Sequence, residues 1–146
     1  MKIISLELLT DDLSGTASFY RDLMGFELMV EETGKVSFRC GNAVLGFLKV
    51  DDQKHHYHFA FEIPNNKMEE AKNWLSLKTS LLLNAENEVI NRFENWNAEA
   101  VYFYDNNGNI VEFITRYDLE TNSNEPFSAA SVLSISEAGV VTDTPL

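Results

Sequence analysis

The sequence has little of what a disulfide-rich, membrane-bound or exported protein requires. Its single cysteine, Cys40, excludes a disulfide framework and a cysteine-rich metal site. No apolar run approaches the length of a membrane helix, which is about 20 residues. The N-terminal stretch turns acidic at Asp11 and Asp12, too early for a signal peptide. We therefore predict a cytoplasmic protein with no membrane partner.

Basic residues are also scarce, since 11 Lys and Arg stand against 23 Asp and Glu and the net charge is −12. A nucleic-acid surface needs a basic patch, so no nucleic-acid partner is predicted. The 146 residues are 45% hydrophobic and 12% aromatic, which is enough for one domain with its own core. The charge by itself indicates solubility rather than a function.

One order of predicted elements occurs twice along the chain. Residues 1–50 are predicted to form a strand, a helix and three strands, and residues 57–116 repeat this βαβββ order. The copies end alike, in CGNAVLGFL (40–48) and NGNIVEFIT (107–115), with Gly-Asn at each turn. A repeated unit usually cannot bury its apolar face alone. We predict an α+β fold in which both units curl around one cleft, with the helices outside.

Alternation along the predicted strands assigns side chains to the cleft. In the strand at 57–63 the aromatic residues share one face, which leaves His58 and Glu62 on the other. The same interpretation of three further strands completes the predicted cleft set: Ser5, Glu7, Leu45, His58, Glu62 and Glu112. Apolar residues surround Glu112, and a carboxylate in that setting needs a hydrogen bond, an opposite charge or a metal.

The cleft residues admit more than one chemistry. An imidazole and carboxylates on one face would suit a divalent Zn, Ni, Mn or Fe ion. The alternative is that His58 is an ordinary strand residue and Glu62 a charge at the rim. Trp96 could line the cleft or play a structural role, and Arg92 beside it could meet an anionic substrate or pair with a nearby Glu.

Three stretches resemble those of the vicinal oxygen chelate superfamily, which includes glyoxalase I, fosfomycin and bleomycin resistance proteins and extradiol dioxygenases. They are FYRDLMGFEL (19–28), HFAFEIP (58–64) and YFYDNNGNIVEFI (102–114). The resemblance covers about residues 1–116 and implies a single domain of paired βαβββ units over that range.

The resemblance implies roles for individual residues. His58 and Glu112 match metal-ligand positions of the family. Two further ligand positions of the family fall at Ser5, which is a weak ligand, and at Leu45, which cannot ligate a metal. The family's ligand set is therefore expected to be incomplete within residues 1–116.

Two hypotheses for function follow from the resemblance. The first is a metal-dependent enzyme, a lyase or a dioxygenase, whose small substrate chelates the ion through neighbouring oxygens, with Glu62 or Glu7 as general base and no organic cofactor. The second is a metal-free protein of the bleomycin-binding type that holds a small cationic or aromatic compound. The residues assigned to ligand contact are Ser5, Phe47, Arg92, Trp96 and Tyr102, with Tyr104 as an alternative to Tyr102.

The C-terminal part of the chain lies beyond the two units. Residues 117–131 are polar and are predicted to be a linker, whereas residues 132–146 turn apolar again. Set beside IISLELLTDDL (3–13), the last segment aligns Glu137 with Ser5, so the chain is predicted to begin a third unit and stop after one strand. We predict that this strand pairs with a sheet edge of its own chain or of a partner in a homodimer. It could be passive, or Glu137 could supply the metal ligand that Ser5 does not.

Overall fold

The computed structural model describes residues 3–51 and 54–140. Within them, nine strands form two mixed sheets, and two α-helices accompany the sheets. The first unit comprises β1 (Ser5–Thr10), α1 (Leu13–Ala17), a π-helical segment (Ser18–Leu23), β2 (Glu27–Glu32), β3 (Lys35–Cys40) and β4 (Ala43–Lys49). The second comprises β5 (Tyr57–Glu62), α2 (Met68–Ser76), β6 (Asn91–Phe93), a 3₁₀ turn (Glu94–Trp96), β7 (Ala98–Tyr104) and β8 (Ile110–Arg116). A second 3₁₀ turn (Ala129–Ser131) precedes β9 (Ser134–Val140). The predicted α+β fold with a repeated βαβββ unit is confirmed.

Each unit forms its own sheet, in the order β1-β4-β3-β2 for the first and β6-β7-β8-β5-β9 for the second. In both units the first strand lies parallel to the last. β9 extends the second sheet, antiparallel to β5. Ile3, just before β1, forms a bridge to Ile135 of β9, so β9 joins the edges of the two sheets. No helix among the described residues is long and apolar enough to cross a membrane.

The two units share one apolar core. Aromatic rings of different units meet in it, with 5.4 Å between the centroids of Phe26 and Phe61 and 6.4 Å between those of Phe19 and Phe103. Apolar residues of both helices belong to the same buried cluster. The units therefore meet on their helix-bearing sides. The expectation that the helices lie outside is corrected, because the apolar faces of both sheets close onto one common core instead of onto separate helices.

A buried carboxylate ties the turn between β7 and β8 to the first unit. Asp105 accepts hydrogen bonds from the Tyr20 hydroxyl at 2.6 Å and from the Asn109 side-chain amide at 2.9 Å. It also accepts from the backbone N–H groups of Asn107 and Asn109 at 2.8 and 3.0 Å. Burial raises the pKa of Asp105, and these hydrogen bonds act against that shift. The predicted turn is thus a junction between the units.

The closing hairpins of the two units differ in length, which changes the residue that reaches the open face. Residues 41–42 join β3 to β4, whereas residues 105–109 join β7 to β8. β4 pairs with β1 and β8 pairs with β5, and in these registers Gly46 and Glu112 hold corresponding positions. Leu45 is fully buried in the core. The predicted equivalence of Leu45 and Glu112 is wrong, because an odd difference in turn length reverses the alternation of side chains.

The C-terminal part of the chain packs on the second unit and also contacts the first, where the Asn42 N–H donates to the Leu133 carbonyl at 2.8 Å. Within residues 117–131, predicted to be a linker, Phe127 is buried and its ring lies 5.2 Å from that of Trp74. The predicted strand forms within its own chain as β9, with Ile135 fully buried. Residues 141–146, which complete the predicted segment, lie outside the described residues.

Candidate functional site

The second sheet separates an apolar face from a face that carries polar side chains. Phe59 and Phe61 of β5 are fully buried in the core that contains the apolar residues of α2, as the alternation predicts. His58 and Ala60 therefore fall on the opposite face of β5. Ala60 pairs with Glu112 in the parallel register between β5 and β8, so the histidine and the carboxylate meet on neighbouring strands.

His58 and Glu112, both assigned to the cleft from the sequence, are in direct contact. The His58 Nε2–H donates a hydrogen bond of 2.9 Å to Glu112 Oε1. The side chain of Glu112 is 5% exposed and that of His58 is 41% exposed, so the imidazole reaches from solvent toward a buried acid. The hydrogen bond to Glu112 raises the pKa of His58, although partial burial of the ring lowers it. The buried Glu112 carboxylate thus has the partner that its apolar surroundings require.

A second group of charges lies on the same face and centres on Arg116. One arm of its guanidinium donates to Glu62 Oε1, and the other donates to Glu137 Oε1 at 2.8 Å. Burial raises the pKa of Glu62, and the charge of Arg116 acts against that shift. The second oxygen of Glu62 has no hydrogen-bond partner within the described residues, so its burial is incompletely compensated. Arg116 therefore ties β8 to both β5 and β9.

A pocket of about 590 Å³ lies on the open face of the second sheet, lined by His58 and Glu112 and by Arg116 and Glu137. Its polar lining consists of His58, Asn95, Glu112, Arg116, Asp118 and Glu137. Its apolar lining consists of Phe93, Trp96, Ala98, Tyr102 and Ile114. The pocket thus combines polar groups suited to a metal with aromatic side chains.

The structure places four of the predicted site residues in this pocket besides Glu112. They are His58, Trp96, Tyr102 and Glu137. The ring of Tyr102 lies 5.8 Å from that of His58. Burial, followed by the charges of Glu112 and Glu137, raises the pKa of Tyr102 to about 12. Its hydroxyl therefore remains a hydrogen-bond donor at neutral pH.

Other predicted residues lie elsewhere. Phe47 is fully buried with its ring 5.5 Å from that of Tyr20, so its assignment to ligand contact is corrected: β4 turns this side chain into the core. Arg92 forms an exposed ion pair with Glu99 at 3.1 Å. Glu62 lines a neighbouring hollow of about 690 Å³ that shares Arg116 and Glu137 with the first pocket.

Ser5 and Glu7 belong to the first sheet and are not among the described residues that line this pocket. Ser5 is exposed, and Glu7 accepts a hydrogen bond of 3.1 Å from Lys35. Their assignment to a common cleft with His58 is corrected for a single chain, because the units meet on their helix-bearing sides. The open face of the first sheet thus points away from that shared contact.

Sequence reasoning missed several lining residues, of which Arg116 is the most important. The alternation of β8 places Arg116 on the same face as Ile114 and Glu112, so a longer predicted strand would have found it. Asn95 and Asp118 lie outside the strands, where alternation carries no signal.

His58 and Glu112 fit a divalent cation as a pair of ligands. Two donors each about 2.1 Å from one ion, at roughly a right angle, lie about 3.0 Å apart. This is close to the 2.9 Å between His58 Nε2 and Glu112 Oε1, so an ion would replace the Nε2 proton of their hydrogen bond. Within residues 3–51 and 54–140, no group of three or more His, Cys, Asp or Glu side chains is arranged to hold a metal. Glu137 lines the same pocket, but Arg116 holds its carboxylate.

Comparisons with known proteins point to one family. The family model of the Glyoxalase/Bleomycin resistance protein/Dioxygenase superfamily matches residues 2–113. The metallothiol transferase FosB of Staphylococcus haemolyticus is 26% identical over 110 residues, which are 71% of this chain and 76% of that protein.

Solved structures agree in fold. A crystal structure of lactoylglutathione lyase from Agrobacterium tumefaciens has a TM-score of 0.63 and 25% identity, with coverage of 77% of this chain and 92% of that one. A glyoxalase/bleomycin resistance protein/dioxygenase from Alicyclobacillus acidocaldarius has a TM-score of 0.61 and 16% identity, with coverage of 80% and 92%. At the lower identity the likeness speaks for the fold alone.

Proposed function

We propose that this chain, which belongs to the Glyoxalase/Bleomycin resistance protein/Dioxygenase superfamily, is a divalent-metal-dependent enzyme. Its proposed substrate is a small molecule with two neighbouring oxygens. The membership agrees with the resemblance found in the sequence. The observation that carries the proposal is the hydrogen bond of 2.9 Å between His58 and Glu112 at the pocket. Both residues stand at positions that the resemblance assigns to metal ligands.

In this proposal His58 and Glu112 hold the ion from neighbouring strands. When bound, a divalent cation supplies Lewis-acid stabilisation of negative charge on a substrate oxygen. Glu137 is the third protein ligand that we propose, because it lines the same pocket from β9 and pairs in register with Ala60, the residue that also pairs with Glu112. Ligation by Glu137 would require its ion pair with Arg116 to loosen.

Tyr102 is proposed as a hydrogen-bond donor to a substrate oxygen. Its ring lies 5.8 Å from that of His58, and its pKa of about 12 keeps the hydroxyl protonated at neutral pH. The positions of the predicted general bases do not support that role. Glu7 pairs with Lys35 on the other sheet, and Glu62 pairs with Arg116 beside the neighbouring hollow.

A metal-free binding protein is the second candidate, and one observation favours it. Both carboxylates that could hold an ion in the pocket already have cationic or hydrogen-bonding partners, Glu112 in His58 and Glu137 in Arg116. Such a pocket is satisfied without an ion and could hold an organic ligand against Trp96. A homodimer and a cytoplasmic location stay predictions, and light scattering after size exclusion tests the first.

Metal titration of the chelator-treated protein decides between the two candidates. We expect Zn²⁺, Ni²⁺ or Mn²⁺ to bind near one equivalent and to raise the melting temperature. His58→Ala should abolish both effects. His55→Ala is the matched control, because His55 precedes β5 and is not among the described residues that line the pocket. Equal binding by wild type and His58→Ala, or a wild type that binds no ion, would overturn the proposed function.

A further inference from the structure

The hollow of about 690 Å³ beside the pocket has no role of its own in the proposed function. We propose that it is a separate binding site for a small organic ammonium ion, whose N–H groups the Glu62 carboxylate would hold. The apolar part of such a ligand would lie against Leu119 and Leu133, which also line the hollow. The inference does not depend on a bound metal, because none of these three residues belongs to the proposed set of metal ligands.

The observation that carries the inference is the incomplete pairing of Glu62. Its side chain is 7% exposed and lines the hollow. Its Oε1 accepts a hydrogen bond from Arg116, whereas its Oε2 has no partner within the described residues. A buried carboxylate oxygen without a donor is unfavourable, so a ligand that donates to Oε2 would remove that cost on binding.

A bulge in β9 gathers hydroxyl groups and a second carboxylate beside Glu62. β9 pairs Ser134 with Glu62 and Glu137 with Ala60, so Ser136 is the extra residue between the two pairs. The bulge lets Ser134 and Glu137 share one face, although strict alternation would place them on opposite faces. All three residues of β9 line the hollow. The Ser136 hydroxyl is buried and, like Glu62 Oε2, has no partner in the part of the chain that the structure describes.

The charge balance of the hollow favours a cation. Its charged lining is two carboxylates, Glu62 and Glu137, against one guanidinium, Arg116. The two carboxylates already occupy both arms of Arg116, so an anionic ligand would have to displace one of them. Burial raises the pKa of Glu62, and a bound ammonium would favour its ionised form.

An organic cation fits the hollow better than a metal ion does. Within residues 3–51 and 54–140, no group of three or more His, Cys, Asp or Glu side chains is arranged to hold a metal. An ammonium group needs only hydrogen-bond acceptors, which the carboxylate and the hydroxyl groups supply. Leu119 is 43% exposed, so an alkyl chain on the ammonium group would bury apolar surface there.

Most of this lining lies outside the residues that the family model matches. That model ends at residue 113, whereas seven of the nine lining residues follow it: Arg116, Leu119, Thr121, Leu133, Ser134, Ser136 and Glu137. Asn42 and Glu62 complete the lining. The hollow is therefore formed mainly by the C-terminal part of this chain.

Hydrogen bonds fix the C-terminal segment to both units at the hollow. The Leu133 N–H donates to the Glu62 carbonyl at 2.9 Å, and the Leu133 carbonyl accepts from the Asn42 N–H at 2.8 Å. The Thr121 hydroxyl accepts from the Asn65 N–H at 2.9 Å. The walls of the hollow are thus in place without a ligand, as is usual for small-molecule sites.

Probes of equal chain length test the inference: n-butylammonium, n-butanol and butyrate. In amide NMR titrations of the chelator-treated protein, n-butylammonium should give saturable shifts at Leu133 and Ser134, which line the hollow. n-Butanol should bind at least about tenfold more weakly, because it lacks the charge that pairs with a buried carboxylate. Butyrate should not bind. Because no metal is present, the result is independent of the proposed function.

A matched pair of variants assigns the binding to Glu62. Glu62→Gln keeps the shape of the side chain, removes its charge and should lower the affinity for n-butylammonium to that for n-butanol. Glu99→Gln is the control, because Glu99 also pairs with an arginine, but its two oxygens both have partners, Arg92 and Tyr117. Glu99 is not among the described residues that line the hollow, so this variant should bind n-butylammonium as wild type does.

Leu119→Ala tests the apolar wall at an exposed position, where the fold is not at risk. It should weaken n-butylammonium by about threefold and leave methylammonium unchanged, because only the longer ion reaches the leucine. If Glu62→Gln does not fold, this variant decides the question. Equal affinity of wild type and Leu119→Ala for n-butylammonium would then overturn the inference.

Each other outcome overturns the inference in a recognisable way. If n-butylammonium gives no saturable shift, or binds no better than n-butanol, the hollow does not recognise an ammonium group. If Glu62→Gln keeps the wild-type affinity, another group holds the cation. Shifts centred on His58 and Tyr102 would place the amine in the neighbouring pocket instead. Shifts spread over the acidic surface would show attraction by net charge alone.

Discussion

The first and second units share one fold, yet their open faces carry different chemistry. Ser5 and Gly46 in the first occupy the positions that His58 and Glu112 occupy in the second. A side chain at Gly46 would meet Glu7 at an ordinary contact distance of 3.5 Å, so packing does not forbid a larger residue there. The same fold therefore presents two open faces, one on each sheet, and the candidate site depends on the residues that the second sheet carries.

The units also differ in what lies beside their first strands. β5 pairs with β8 on one side and with β9 along its length on the other. β1 pairs with β4, and among the described residues its outer side is met near its start by one bridge, between Ile3 and Ile135. β9 thus adds Glu137 to the face that already carries His58 and Glu112. An added strand can make two similar units unequal without altering either.

The largest expected difference between the units is the loss of stability when the glycine of each closing turn is replaced. Gly41 (φ +63°) and Gly108 (φ +77°) both adopt left-handed conformations. A Cβ on Gly41 would lie 2.2 Å from the Leu133 carbonyl oxygen, whereas one on Gly108 would meet the movable side chain of His56 at 3.0 Å. We expect Gly41→Ala to cost about 4 kcal/mol of unfolding free energy and Gly108→Ala about 1 kcal/mol. Urea unfolding of both variants measures this, and equal costs would show that the segment before β9 does not constrain the first turn.

A smaller effect concerns β9 itself. Ile135 is fully buried between the units, whereas Val140 on the same strand is 69% exposed. Ile135→Ala should lower the unfolding free energy by about 3 kcal/mol, because it leaves a cavity in the core. Val140→Ala should change it by less than about 0.5 kcal/mol. Should both variants melt like wild type, β9 would be a passive addition to the sheet edge.

The smallest effect concerns the carboxylate that β9 brings to the site. Glu137→Gln keeps the shape of the side chain and removes the charge that Arg116 holds. If Glu137 is the third ligand, metal affinity should fall about tenfold or more, in the range seen when supporting groups of metal sites are removed. Isothermal titration with Zn²⁺ measures it. An unchanged affinity would leave His58 and Glu112 as the protein ligands and assign Glu137 to Arg116 alone.

The sequence predicted the second unit better than the first for a physical reason. On β5 the aromatic residues all fall on one face, so alternation identified the side of His58. On β4 apolar residues occur on both faces, so their pattern does not identify the side that faces the core. That side depends on the length of the turn before β4, which the repeat in the sequence did not reveal. Phe47 and Leu45 were therefore assigned to the wrong side.

The packing of the units against each other lay beyond the sequence. Two amphipathic units can close helix side to helix side or open face to open face, and both arrangements bury the same kinds of residues. The contact between Phe26 and Phe61 and the bond from Tyr20 to Asp105 show the first arrangement. Arg116 was missed because the last predicted strand stopped at Thr115, one residue short of β8, and its partners Glu62 and Glu137 lie on two other strands.

The central claim is that the second unit binds the metal and the first does not. The most direct test compares Glu112→Gln with Glu7→Gln, two carboxylates on the open faces of the two units, by Zn²⁺ titration of the chelator-treated proteins. The account predicts that Glu112→Gln loses more than about 100-fold in affinity, while Glu7→Gln binds as wild type does. Wild-type affinity in Glu112→Gln, or an equal loss in Glu7→Gln, would contradict it.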